Sequence, residues 1–213
     1  MANNIKASEA LQRLRDGNKR FTSNLSTQES LFSDHRREEL LKGQEPYAII
    51  LGCSDSRVPA EIVFDQGLGD LFVIRVAGNI VAPSQIGSVE FAVSQFGTRL
   101  VIVLGHSQCG AICATIEELT HGHSSASENI RAIVDRVKPS IESLMATDLK
   151  NDRDALEKEA VRANVRASAN QLRHGSSIIE SLIATDELLV VGAEYSLESG
   201  VVEFFDGVSD SKI

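Results

Sequence analysis

Tryptophan is absent from this chain, tyrosine occurs twice and cysteine three times. Three cysteines are too few and too oddly numbered for a disulfide framework, so a reducing compartment is expected and the thiols are left for packing, metal binding or catalysis. No apolar run approaches the length of a membrane span, and the opening Met1-Ala-Asn-Asn-Ile-Lys6 lacks the basic-then-apolar order of a signal peptide. The expected location is therefore cytoplasmic, with no membrane partner. Also missing is any Lys/Arg cluster interleaved with aromatics: 21 basic residues face 30 acidic ones, for a net charge of −9. Nucleic acid and anionic lipid surfaces have no electrostatic footprint here.

What is present is ordinary globular composition, with 42% apolar and 24% charged residues over 213 positions, enough for one sizeable core. Leu11, Leu14 and Phe21 recur at helical spacing, and Ser33–Lys42 reads as a second short helix with Ser33 as cap and Gly43 as stop. Residues 1–45 are thus expected to form a helical arm, and residues 46–213 a single α/β catalytic domain. Four runs, Tyr47–Leu51, Leu71–Ile74, Leu100–Leu104 and Leu188–Val191, are apolar continuously rather than alternately, as strands covered on both faces should be. Helical patterns lie between them at Gln85–Phe96, at Ala111–Leu119, and through Ser127–Ala184 with Pro139 as an interruption. Alternating strands and helices predict an α/β fold with a mainly parallel sheet flanked by helices.

Two polar blocks follow two of these runs directly: Cys53-Ser-Asp-Ser-Arg57 closes the first, and His106-Ser-Gln-Cys109 closes the third. In such sheets ligands bind beyond the carboxyl ends of the strands, near the point where strand order reverses. If the two runs are neighbours, one imidazole and two thiolates converge there. Zinc held by three protein ligands keeps a fourth position for water, whose pKa falls toward ~7. Two thiolates cancel most of the metal's charge, so the site gains from a neighbour that orients hydroxide. Asp55 can accept its hydrogen bond, and Arg57 can hold Asp55 ionised with its planar fork.

A compact alternative stays open on spacing alone: His106, Cys109 and Cys113 could form a metal site by themselves, which would leave the Cys53 block without purpose. Otherwise Cys113 is expected to be a buried small hydrophobe. Arg75 reads either as a structural ion-pair partner or as an active group. His121 and His123 fall in a Ser/Gly loop read as exposed, His35 and His174 are expected on the surface, and the charges of Lys150–Arg166 on a solvated helix face. Gly67-Leu-Gly69 lacks the third glycine and the helix start of a phosphate loop.

The two blocks, with Gly43-Gln-Glu-Pro46, Asp70-Leu-Phe-Val-Ile-Arg75-Val-Ala-Gly-Asn79 and Gly87-Ser-Val-Glu-Phe-Ala92, resemble the β-class carbonic anhydrases over most of the chain. The resemblance implies Cys53, His106 and Cys109 as ligands of one Zn2+, Asp55 and Arg57 as the catalytic dyad, and reversible hydration of carbon dioxide to bicarbonate and a proton by zinc hydroxide attack. It further implies a homodimer or homotetramer whose pocket is completed across the interface. Gln44, Phe72, Ala77, Phe91 and Gly110 fall at substrate-binding positions. Phe91 replaces a tyrosine common in plant-type members. Some members close the site by moving the aspartate onto the metal, using a tryptophan where this chain has Ile50. With no tryptophan, the open arrangement is expected, with Asp55 paired to Arg57 and Arg75 serving structure. Two rival functions remain: hydrolysis of carbonyl sulfide or carbon disulfide on the same scaffold, and a non-catalytic zinc or redox-sensing protein.

Overall fold

The computed structural model describes residues 5–26, 33–122 and 127–208. Five strands form one sheet: β1 (Ala48–Gly52), β2 (Leu71–Arg75), β3 (Leu100–His106), β4 (Leu189–Tyr195) and β5 (Val202–Asp206). Their spatial order is β2-β1-β3-β4-β5; the first four run parallel and β5 returns antiparallel to β4. From β1 the chain goes to one side for β2 and to the other for β3. The strand order therefore reverses at the carboxyl ends of β1 and β3, which pair directly through Gly52 and Leu104.

Every residue of β1 and β3 is buried because helices cover both faces. One face carries Ile50, Ile102 and Leu104, packed with Leu14 of helix α1 (Ala7–Thr22) and with Phe64, just after the one-turn α3 (Ala60–Val63). The other carries Ile49, Leu51, Val101 and Val103 with Val165, Ala169 and Leu172 of helix α7 (Arg153–His174). The period-two alternation of strand side chains sorts the two sets. The remaining helices are α2 (Asp34–Glu39), α4 (Pro83–Phe96), α5 (Gly110–His121), α6 (Glu128–Met145) and α8 (Ser177–Ala184). Ser33 caps α2 by accepting the Arg36 N–H, and Gly43 with φ of 141° follows the short 3-10 turn that ends it.

The fold departs from the sequence reading in two places. Helix α6 runs through Pro139 instead of breaking there. Asp135, whose carbonyl loses its intrahelical donor, lies on the exposed side, while Val134, Val137 and Ile141 anchor the opposite face. The fifth strand was not anticipated; it is short, partly exposed and reached by a tight turn at Ser196–Gly200. The charges of Lys150–Arg166 lie mostly on the solvated face of α7, as expected, and its other face covers the sheet: Leu156, Ala160, Val161, Asn164 and Val165 are all buried. Helix α1 likewise buries Ala10, Leu11 and Leu14 against its own chain. Asn18 ties it down, its Nδ2 donating to the carbonyls of Val63 (3.1 Å) and Gly200 (2.9 Å) and its Oδ1 accepting the Val202 N–H (2.9 Å).

Candidate metal centre

Cys53 is the first residue beyond β1, His106 is the last of β3, and Cys109 is the N-cap of α5. Between the last two, Gln108 adopts φ of 55°, the left-handed turn that swings the chain from strand into helix. The Ser107 N–H donates to the Tyr195 carbonyl (3.0 Å) and the Ser107 Oγ accepts the Leu197 N–H (3.0 Å), which fastens this loop to the end of β4. One ligand-type atom from each of Cys53, His106 and Cys109 lies within 4.8 Å of the others, and all three residues are buried.

The imidazole's orientation identifies its free nitrogen. His106 Nδ1 lies 2.9 Å from the Ser107 carbonyl, which can only accept, so Nδ1 carries the proton and Nε2 the lone pair. That Nε2 is buried and has no hydrogen-bond partner among the described residues. An unsatisfied buried polar atom costs about 1–3 kcal/mol, and a metal ion shared with two thiols removes the deficit. The donor set, two sulfurs and one imidazole, suits zinc. A hydrogen bond from Cys109, opposed by burial and helped by His106 and the backbone N–H groups of Asp55 and Gly78, brings the Cys53 thiol well below its ordinary value. The same contact pushes Cys109 up, so one proton stays on the pair for a metal to displace.

Asp55 and Arg57 stand at the rim. Arg57 Nε donates to Asp55 Oδ1 (2.9 Å) and an Nη to Oδ2 (2.7 Å), while the Arg57 backbone N–H also reaches Oδ1 (2.9 Å). A further Nη bond to the Gln108 carbonyl (3.3 Å) links the dyad to the histidine loop. These bonds hold the Asp55 carboxyl well below the usual carboxylate range. Asp55 Oδ2 is 3.9 Å from His106 Nε2. Among the described residues Arg75 makes no side-chain ion pair; its Nε donates to the Cys53 carbonyl (2.9 Å) and an Nη to the Asp55 carbonyl (2.6 Å), so it braces the backbone of the first block.

Residues 48–202 match the profile of the carbonic anhydrase family. The chain belongs to that family. Carbonic anhydrase 2 of Mycobacterium tuberculosis is 39% identical over 193 residues, 90% of this chain and 89% of its own length. The carbonic anhydrase of Mycolicibacterium smegmatis is 40% identical over 202 residues, 94% of each. The solved β-carbonic anhydrase CcaA superposes with a TM-score of 0.71 at 28% identity, over 95% of this chain and 94% of that one. The fold is that of the β class, and Cys53, His106 and Cys109 form its zinc site.

Around this β-carbonic anhydrase centre the other expected residues are spread out. Phe72 of β2 and Phe91 of α4 touch, with ring centroids 6.2 Å apart, and both pack on Phe96. Ala77 opens the 3-10 turn Ala77–Asn79 beside Cys53, and Gly110 begins α5 facing open space. Gln44 lines a surface depression with Arg36, Glu39, Leu40 and Lys42, none of which belongs to the metal site. Cys113 departs from expectation: it is half-buried, and its thiol donates to Glu157 Oε1 at 2.7 Å. Burial and that carboxylate raise it to about 11. His35, His121 and His174 are exposed beside Glu39, Glu117 and Glu180, whereas His123 lies outside the described residues. Sequence reasoning missed Ser107 as the anchor of the imidazole, Gly78, whose N–H donates to Cys53 Sγ at 3.4 Å, and Asn164, which holds Gly78.

Proposed function

We propose that this chain hydrates carbon dioxide reversibly to bicarbonate and a proton at a zinc ion held by Cys53, His106 and Cys109, with Asp55 and Arg57 as its catalytic pair. The observation that carries this reading is the buried, unpartnered His106 Nε2 grouped with two thiols beside an ionised, clamped carboxylate. Zinc, when bound, supplies the Lewis acidity that ionises water near neutral pH. The protein's part is orientation. Asp55 is kept anionic and aimed by the planar fork of Arg57, so it can accept a hydrogen bond from the attacking water. Arg75 fixes the backbone from which Asp55 projects.

A neutral linear substrate needs an apolar wall more than charge, and Phe72, Ala77 and Phe91 are assigned to that wall. The backbone of Gly110 and the amide of Gln44 are assigned to the substrate oxygens. Gln44 lies on a different surface of the chain from the zinc ligands, so it serves a pocket only when a second copy brings it there. That placement supports a homodimer, alone or paired into a homotetramer. Cytoplasmic residence is supported by three thiols that form no disulfide. Among the described residues no helix is long and apolar enough to cross a membrane.

The test is stopped-flow hydration of carbon dioxide by protein loaded with one zinc per chain, expected to be lost on chelation and restored by zinc. Zinc-loaded protein inert toward carbon dioxide but active on carbonyl sulfide or carbon disulfide would reassign the substrate. Inertness toward all three would make the site structural.

A further inference from the structure

Helix α7 carries a buried amide that the catalytic reading does not use. Asn164 is 2% exposed and sits among Ala160, Val161, Val165 and Ser168 on the buried face of the helix. Asparagine is a poor helix former, and an amide buried in an apolar layer costs free energy unless it is hydrogen-bonded. Its Nδ2 donates to the Gly78 carbonyl at 2.8 Å. Gly78 in turn donates its own N–H to Cys53 Sγ at 3.4 Å.

The two bonds lie on either side of the Gly78 Cα. Gly78 has φ of 68° and ψ of 18°, and a Cβ there would stand 3.0 Å from Ala111 Cβ and 3.5 Å from Val137 Cγ2. A side chain there is strained by the backbone conformation and crowded by Ala111 of helix α5. Glycine fits, but its backbone is the most permissive of any residue. Something else must hold the N–H on the sulfur, and the amide bond from α7 fixes the adjoining carbonyl.

We propose that Asn164 is a positioning residue for the metal: by fixing Gly78 it aims an N–H at the Cys53 sulfur and so tunes that thiolate as a ligand. The proposal rests on the zinc assignment above. A hydrogen bond to a thiolate withdraws electron density from sulfur, so less of the metal's positive charge is neutralised. In a site with two thiolates that preserves Lewis acidity. Outer partners of this kind orient ligands, and their loss costs about 10- to 100-fold in metal affinity.

The test uses full-length protein loaded with cadmium-113 and observed by proton–cadmium correlation. Coupling to the Cys53 Hβ protons locates the metal, and a second coupling to the Gly78 amide proton, carried through the hydrogen bond, is expected in the wild type. In Asn164→Leu the amide coupling should weaken or vanish. Zinc affinity should fall about 10- to 100-fold, and the sulfur-to-metal charge-transfer band of the cobalt form should move to lower energy. Cadmium coupled to Cys53 but not to Gly78 in the wild type overturns the inference, and this arm decides alone if Asn164→Leu does not fold. A folded Asn164→Leu with unchanged affinity and an unmoved band also overturns it. No coupling to Cys53 at all overturns the zinc assignment and this inference with it.

Discussion

Cys109 and Cys113 lie one helical turn apart, yet their sulfurs face different chemistry. Cys109 is buried against Cys53 and the free His106 nitrogen, whereas Cys113 points to Glu157. A carboxylate that raises a thiol's pKa works against the thiolate a metal requires. Cys109→Ala should therefore abolish both zinc content and hydration activity, while Cys113→Ala should retain both; zinc analysis of the purified variants beside a stopped-flow assay checks this, and the reverse pattern would move the site to the compact alternative. Asp55 gives a prediction with a definite sign. Hydrogen bonds from Arg57, against some burial, depress its folded pKa. The pair's contribution is thus complete above the unfolded value of ~3.9 and is lost only as pH falls through the lower folded value. Carbon-13 NMR should show no Asp55 carboxyl titration between about pH 5 and 9. In Arg57→Ala the titration should move up toward the ordinary range. A wild-type midpoint above 5 would refute the clamp. Asp55→Asn should keep zinc but lower the hydration rate roughly 10- to 100-fold, the equivalent of ~1.5–3 kcal/mol for a charge-assisted hydrogen bond.

At the scale of elements, the site depends on how closely α7 approaches the end of β3. A Cβ on Gly105, the residue before His106, would lie 2.5 Å from Val165 Cγ2 and 3.2 Å from Val161 Cγ1. Gly105→Ala should overpack this contact, costing about 1–3 kcal/mol in urea unfolding, and should weaken zinc binding because the strand end carrying the imidazole must shift. Unchanged stability would mean that α7 yields without moving β3. The four parallel strands were legible because helices on both faces demand unbroken apolar runs, as Leu100–Leu104 shows. Strand β5 was not, because at a sheet edge its residues are half-exposed and resemble loop sequence. Pro139 misled for the opposite reason: local backbone preference predicted a break, and the anchoring of Val134, Val137 and Ile141 outweighed it. The zinc ligands were legible since each abuts a strand or helix end, where two short blocks fix both position and partner. Asn164 and Gly78 were not, being 86 residues apart and joined by a side-chain amide donating to a backbone carbonyl that any residue carries.

The molecule as a whole leaves large apolar side chains uncovered near residues that the proposed homodimer would use. Phe91 is 53% exposed although it packs on Phe72 and Phe96 beside β2, the open parallel edge of the sheet, and Leu41 is 85% exposed three residues before Gln44. The amphipathic helix α1 is not free to supply this interface, because its buried residues already pack on their own chain. An exposed aromatic next to a sheet edge marks an interaction site better than isolated surface leucines do, and the role proposed for Gln44 requires such a contact. Sedimentation at micromolar concentration should therefore show a dimer or a multiple of it. Phe91→Glu would place a charge in the interface and should raise the dimer dissociation constant at least about tenfold, or ~1.4 kcal/mol. Activity per chain should fall while zinc content holds, because both the apolar wall at Phe91 and the partner's contribution are lost while the metal ligands are untouched. A fully active monomer, or a Phe91→Glu protein that is monomeric and undiminished in rate, would show that each chain completes its pocket alone and that Gln44 has no part in it.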